Sequence, residues 1–207
     1  EAVDGVLYSK DHTSLVAYPA AKGSGGTYTV LDGTNRIEPS AVFGAALTGI
    51  VLPDSLRSIG NKAFSGSGLE SVVLPKGFQA LEESAFWAMP SLARVDLGGT
   101  KTIGEEAFYA SRALRTVDFR ADLGRLTTIG SYAFAETGLV SAALPDSVAS
   151  LGDQAFARSP ELKDVHLGSG LTEVGARVFT GSTALASLSL APSNPVLSLD
   201  GSVLYQQ

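Results

Sequence analysis

A short pattern of apolar and polar positions recurs seven times along the chain. It reads Leu-x-x-apolar-x-(Leu/Phe), and its first and last apolar residues are always five positions apart. The copies begin at Leu47, Leu69, Leu92, Leu114, Leu139, Leu162 and Leu185. The second half alternates apolar and polar residues with a period of two, as a short strand with one buried face does. The constant length predicts strands that stack on one another.

A second motif, a small or branched residue followed by Phe, recurs between these strands. Its copies are Val42-Phe43, Ala63-Phe64, Ala85-Phe86, Ala107-Phe108, Ala133-Phe134, Ala155-Phe156 and Val178-Phe179, and the steps from Phe to Phe are 21, 22, 22, 26, 22 and 23 residues. We expect the seven rings to form one buried apolar spine.

A third element, an apolar residue followed by Gly, precedes five of the Phe motifs. The copies are Ile59-Gly60, Ile103-Gly104, Ile129-Gly130, Leu151-Gly152 and Val174-Gly175. Apolar residues at i, i+4 and i+5 share one face of a single helical turn, which predicts a short helical segment in each repeat. We expect the Gly to ease the chain into that turn.

Neither a short strand nor a single helical turn can bury its apolar face alone, so the repeats must stack. The predicted fold is an α/β solenoid over residues 28–192, a right-handed coil of short parallel strands and short helical turns with about seven repeats of 21–26 residues. The additional residues around "RADLGRLTT" are expected to form a loop, where extra length costs little entropy.

The two ends of the chain have nearly the same sequence, "DGVLYSKDH" near the start and "DGSVLYQQ" at the end. Alternation through Val6, Leu7 and Tyr8, a polar turn, and a second apolar run predict an N-terminal β-hairpin cap over residues 1–27. Residues 193–207 are expected to start a following hairpin unit.

The combined motif "L-x-x-V-x-L-P-x-x-(L/V)-x-x-(I/L)-G-x-x-A-F" resembles the BspA-like, treponemal-type family of leucine-rich-repeat proteins. Residues 69–86 and 139–156 match it best, and an N-terminal D-G-V-L-Y-S-K-D stretch also occurs in proteins of this kind. The resemblance implies a bacterial protein, located at the cell surface or secreted, that attaches to a host or to other microbes.

The chain departs from the family pattern at a position that often holds Cys, three residues after the Phe. It carries Ala46, Ser67, Met89, Ser111, Thr137, Ser159 and Ser182 there. Most of these residues are small, so we expect the packing role to survive. The Asn that follows the strand in other leucine-rich repeats is also absent, which predicts that backbone groups bond between neighbouring turns.

Composition and charge narrow the classes of partner. The chain has no Cys, which excludes disulfides, thiolate metal sites and thiol catalysis. Its net charge of −6 is spread without a basic stripe, so nucleic acid is not an expected partner. No run of about 18 apolar residues occurs, so this segment is not expected to insert into a membrane.

The sequence holds little that points to catalysis. Its two histidines, His12 and His166, lie at opposite ends of the chain, and no nucleotide-binding, zinc-protease or nucleophile-elbow motif is present. We therefore expect no enzyme activity, no cofactor and no metal.

The outward positions of the predicted strands form the main candidate binding surface. Its residues are Arg94, Asp96, Thr116, Asp118, Arg120, Asp164 and His166. Asp96 and Asp118 are expected at the same strand position in successive repeats, about 5 Å apart. Such a surface suits a protein or glycan partner, because solenoids bind along a face that presents many repeats at once. The alternative is a solvated face that serves solubility alone.

Trp87 and Tyr109 form a second candidate patch, because each directly follows the core Phe of its repeat. A row of aromatic side chains could stack on sugar rings, or it could cover the edge of the core. Two functions remain open: a non-enzymatic binding and adhesion module, and a structural spacer that displays other domains without a ligand of its own.

Overall fold

The computed structural model describes residues 1–22, 25–119, 125–201 and 203–206. This part of the chain forms a β-solenoid of about eight turns, built from twenty short strands and the turns between them. It contains no helix, and hence none that is long and apolar enough to cross a membrane.

The first ten strands are β1 (Ala2–Val3), β2 (Val6–Tyr8), β3 (Ser14–Ala17), β4 (Thr27–Thr29), β5 (Arg36–Ile37), β6 (Gly49–Val51), β7 (Ser58–Ile59), β8 (Ser71–Val73), β9 (Ala80–Leu81) and β10 (Arg94–Asp96). The other ten are β11 (Thr102–Ile103), β12 (Thr116–Asp118), β13 (Thr128–Ile129), β14 (Ser141–Ala143), β15 (Ser150–Leu151), β16 (Asp164–Leu167), β17 (Glu173–Val174), β18 (Ser187–Leu190), β19 (Leu197–Asp200) and β20 (Val203–Gln206).

Each solenoid turn contributes strands to two stacks. A long sheet runs β1-β2-β3-β5-β7-β9-β11-β13-β15-β17 and is parallel from β3 onward. The other stack consists of the pair β4-β6 and the parallel sheets β8-β10-β12 and β14-β16-β18. The outward side of these two three-stranded sheets is called the strand face below.

The predicted strands of the Leu-x-x-apolar-x-Leu pattern are confirmed. β10 lies between β8 and β12, with Val95 opposite Val72 and Val117. All three valines are buried, whereas the residues on either side of Val95 point outward. The alternation therefore reports one buried and one exposed side of each strand.

The predicted helical turns are wrong, because the Ile-Gly motif and the Phe that follows form a short strand and a series of tight turns. Two positions per repeat have a left-handed backbone, such as Lys62 (φ 53°) and Gly66 (φ 66°). Alternate N–H groups bond to the next turn: that of Phe64 donates to the carbonyl of Ala85 at 2.9 Å, and that of Gly66 to the carbonyl of Trp87 at 3.1 Å. A helix would use these N–H groups within itself.

The Gly of this motif also has a different role from the one expected. Gly130 and Gly152 do not have positive φ. A Cβ on Gly130 would lie 2.7 Å from the backbone N of Glu105, and one on Gly152 would lie 2.3 Å from the backbone N of Ser131. Glycine is present here because successive turns approach closely.

A stack of phenylalanine rings runs along the inside of the solenoid. Neighbouring centroids are 5.1, 5.4, 5.1, 5.3 and 5.9 Å apart, with angles between ring planes of 2°, 4°, 7°, 11° and 22°. The rings belong to Phe64, Phe86, Phe108, Phe134, Phe156 and Phe179. The first five are completely buried, and Phe179 packs partly buried at the end.

The seventh expected member of the spine, Phe43, lies outside the core with 54% of its surface exposed. Its neighbour Val42 is fully buried and donates its N–H to the carbonyl of Ala63, the equivalent of the bond that Phe64 makes with Ala85. Val42 thus occupies the core position, and the sequence alignment of this first repeat was wrong by one residue.

The N-terminal hairpin cap predicted for residues 1–27 also needs correction. β2 pairs antiparallel with β1 and β3, but β3 continues in parallel register onto β5, with Leu15 opposite Ile37. β1, β2 and β3 therefore form the end of the long sheet, and β3 provides the backbone hydrogen-bond partners for β5 in the first repeat. They are not a separate unit that precedes the solenoid.

At the other end, the strand of "DGSVLYQQ" is β20, and it pairs antiparallel with β19, which precedes it in the chain. The bounds 1–27, 28–192 and 193–207 for the three units remain predictions. The residues 120–124, in the expected loop of the longest repeat, lie outside the described part.

Buried hydroxyls at the position where the family often has Cys form a hydrogen-bonded ladder between turns. Ser111 Oγ donates to the carbonyl of Phe86 at 2.9 Å and accepts the N–H of Met89 at 3.1 Å. Ser182 Oγ bonds the preceding turn in the same way, through the carbonyl of Phe156 and the N–H of Ser159. The small residues at this position therefore join successive turns as well as packing between them.

We expect Phe108→Ala to reduce the free energy of unfolding by about 3–5 kcal/mol, because it removes a buried ring from between two others. Phe43→Ala is the matched control and should cost less than about 0.5 kcal/mol, as an exposed side chain does. Urea denaturation of both variants measures the difference. Equal losses would contradict the assignment of Val42 to the core.

Ser111→Ala is expected to cost about 1–3 kcal/mol, because it leaves a buried N–H and a buried carbonyl without a partner. Ser65→Ala is the control: Ser65 is also buried, but its Oγ has no hydrogen-bond partner in the described part of the chain. Its removal should therefore be close to neutral. Thermal unfolding of the two variants, each compared with the wild type, measures the loss of stability. Equal losses of stability would refute the hydroxyl ladder.

Candidate functional site

The central part of the predicted strand face is assembled as expected. Parallel pairing places Arg94 opposite Thr116 and Asp96 opposite Asp118. Arg94 and Thr116 are exposed, and the two aspartates are half-buried. Four of the candidate residues thus lie together on two neighbouring strands.

The carboxylate of Asp96 has a structural role as well as a surface position. Its Oδ1 accepts the backbone N–H of Gly98 at 2.9 Å, where the chain turns with a φ of 50°. Asp118 also makes an interaction of its own. No group of three or more His, Cys, Asp or Glu side chains could hold a metal ion within the described ranges.

Asp164 and His166 lie in the other sheet of the strand face, on β16. Asp164 is exposed, and the Nδ1 of His166 lies 3.0 Å from Ser189 Oγ. Arg120 is one of residues 120–124, which lie outside the described part. The seven predicted binding residues are therefore divided, with four in one sheet and two in another.

Exposed valines lie on and beside the first sheet of the strand face. Val73 is paired with Asp96 and is 64% exposed, and Val51 on the nearby β6 is 50% exposed. The strand face therefore has an apolar part beside the charged part around Arg94. That combination is typical of surfaces that bind partners.

The two residues of the predicted aromatic patch occupy equivalent positions but face different neighbours. Ala88, the residue after Trp87, donates its N–H to the carbonyl of Tyr109 at 2.8 Å. Trp87 and Tyr109 therefore lie in successive turns. The Tyr109 hydroxyl donates to Glu136 Oε1 at 2.9 Å, in the turn beyond. Trp87 lines a cleft together with Phe43, on its other side.

Phe43 is a surface aromatic residue that the sequence analysis assigned to the core. The signal that could have placed it correctly is spacing: the first strand pattern starts four residues after Phe43, but five or six residues after every other Phe of the series. Counting from Val42 restores the usual interval.

A charged cluster around Glu136 was also missed. Glu136 is bonded by Arg112 at 2.9 Å, by Arg158 Nε at 3.2 Å and by the Tyr109 hydroxyl. The hydrogen bond from Arg112, together with that from Tyr109, holds the pKa of Glu136 below its usual value. The same bond to Glu136, with burial, raises the pKa of Tyr109. Because its members come from separate repeats, no local motif predicts this cluster.

A family model described as a BspA-type leucine-rich-repeat region matches the chain in six copies, over residues 35–126 and 127–205. No curated protein is significantly similar to it.

Several solved structures share the fold. The leucine-rich-repeat protein of T. pallidum is 23% identical with a TM-score of 0.57, over 89% of this chain and 81% of that one. A leucine-rich-repeat protein from Bacteroides ovatus is 18% identical with a TM-score of 0.53, over 86% of this chain and 65% of that one. The pneumococcal vaccine antigen PcpA is 19% identical with a TM-score of 0.53, over 84% and 54%. The chain thus spans about two-thirds or less of the length of the last two.

Glu136→Gln should lower the unfolding temperature at pH 7, because the lowered pKa means that the ionised carboxylate stabilises the fold. This contribution is complete above the usual carboxyl pKa and is lost as the pH falls through the lower folded-state value. We expect the variant and the wild type to converge once the pH is below that folded-state value. Glu173→Gln, on an exposed carboxylate, is the control and should show no such pH dependence in a series of thermal melts.

Proposed function

The chain belongs to the BspA-type leucine-rich-repeat family, and from that premise we propose that it is a non-enzymatic binding module of a bacterial cell-surface or secreted protein. Its partner would be a surface protein or glycan of a host or another microbe. The first sheet of the strand face, around Arg94 and Thr116, is the contact surface in this proposal.

One observation carries the proposal: an exposed apolar side chain lies in register with a charged one on this sheet. Val73 and Asp96 are direct neighbours across β8 and β10. A valine that is 64% exposed adds nothing to solubility, whereas an interface gains from burying it. The charged neighbours would set orientation and specificity.

One solved structure of the same fold supports a surface location. It is described as a leucine-rich cell surface protein of Faecalibacterium prausnitzii, with 20% identity and a TM-score of 0.50 over 81% of this chain and 60% of that one. Attachment to a host or to other microbes is the role that we propose for this chain, as a use of the strand face.

The second candidate is a structural spacer that holds another domain at a distance. The regular stack of turns, joined by backbone hydrogen bonds and ring contacts, supports this alternative, because it is rigid without any ligand. A spacer should tolerate charge changes anywhere on its surface without functional loss.

Charge reversal tests the contact surface. The segment is displayed on beads and incubated with a glycan array and with host epithelial and bacterial cells. We expect Arg94→Glu to lower cell or glycan binding at least tenfold. Lys101→Glu, with the same charge change next to β11 and away from the strand face, should bind as wild type does. Equal binding by both variants would exclude this contact surface, and no binding by wild type would favour the spacer.

A further inference from the structure

A cleft of about 330 Å³ separates the exposed side chains of Phe43 and Trp87. It is lined also by Lys62, Ser65 and Glu106, and none of these residues belongs to the strand face. The cleft is thus a different surface from the one proposed above.

The regular winding of the chain creates this cleft. The N–H of Gly44 donates to the carbonyl of Ser65 at 3.0 Å, and that of Gly66 to the carbonyl of Trp87 at 3.1 Å, so Phe43, Ser65 and Trp87 occupy equivalent positions in three successive turns. Two strand spacings separate the outer pair by roughly 9–10 Å. Because the middle residue is small, a gap remains between two aromatic residues.

The aromatic walls are exposed to solvent. Phe43 is 54% and Trp87 is 38% exposed, whereas the residue before each of them, Val42 or Phe86, is fully buried. A flat ring in contact with both side chains would need about 7–8 Å between them, at about 3.5–4 Å per contact. The spacing of the two backbone positions leaves room for one such ring.

The Ser65 side chain supplies an independent observation. Only 1% of Ser65 is exposed, and its Oγ has no hydrogen-bond partner among the described residues. Neighbouring buried serines do have partners: Ser67 Oγ donates to Met89 Sδ and Ser84 Oγ to Glu106, whereas Ser111 donates to a backbone carbonyl. A buried hydroxyl without a partner, at the base of an aromatic cleft, is suited to a ligand hydroxyl.

Both signs of charge flank the cleft. Lys62 offers ammonium donors, and Glu106 offers carboxylate acceptors, one of which already accepts a long bond of 3.4 Å from Ser84 Oγ. A neutral ligand with several donors and acceptors would use both, whereas an ion would be repelled by one of them.

We propose that this cleft binds one pyranose ring of a neutral glycan. The apolar C–H faces of such a ring would pack on Phe43 and Trp87, and its hydroxyls would bond Ser65, Lys62 and Glu106. A proline or aromatic side chain would fill the same gap but would leave the buried Ser65 hydroxyl without a partner, which is why the sugar is favoured.

Tryptophan fluorescence tests the proposal directly, because Trp87 is the chain's single tryptophan. The wild-type segment is titrated with the methyl glycosides of glucose, galactose, mannose and N-acetylglucosamine. We expect at least one to change the emission saturably, with a dissociation constant on the order of 1 mM. A proline-rich peptide is titrated in parallel.

Three variants locate the binding. Phe43→Ala should weaken the sugar at least tenfold, and Ser65→Ala about fivefold while the unfolding temperature stays unchanged. Val73→Ala, which removes an exposed apolar side chain from the strand face, should have no effect on the sugar, so this result is separate from that of Arg94→Glu. No response to any glycoside, a response only to the peptide, or sugar binding that survives Phe43→Ala would each overturn the proposal.

Discussion

The structure depends on hydrogen bonds between successive turns of one chain. Alternate N–H groups in the segment around each Phe, such as those of Phe64 and Gly66, donate to the carbonyls of the next turn instead of their own. Each turn must therefore copy the backbone of its neighbour, including the left-handed positions, because otherwise buried donors would lose their acceptors. The stack of phenylalanine rings follows from this copying, since equivalent side chains are forced to lie one above another.

The same constraint explains which residues fill the equivalent positions. Gly130 and Gly152 stand where a Cβ would meet the backbone of the preceding turn. Ser111 and Ser182 stand where a hydroxyl can bond a carbonyl and an N–H of the preceding turn. At both positions, the short distance between turns limits which side chains fit. Stability in this cysteine-free chain comes from these repeated contacts.

The two surfaces that we propose for binding consist of side chains that point away from the stack. On the strand face, fixed register brings Arg94, Val73 and Asp96 into one small surface with both apolar and charged parts. On the turns, the same register aligns Phe43 and Trp87 across one small residue and opens a cleft between them. The backbone thus supplies regular positions, and the local choice of side chain at each position makes one turn different from the next.

The sequence by itself determined the repeat, the strands around residues such as Val95, and the family, because strict spacing and period-two alternation are local properties of the chain. Only the tertiary structure decided that the Ile-Gly-x-x-Ala-Phe segment is not helical, since its backbone N–H groups donate to carbonyls of a neighbouring turn. The cleft beside Phe43 also appears only in the structure, although the short spacing from Phe43 to Leu47 already signals that Phe43 is not a core residue. The contact of Glu136 with Arg112 and Arg158 appears only there as well. Both arrangements join adjacent turns, about 22 to 26 residues apart in the chain, which no local pattern records.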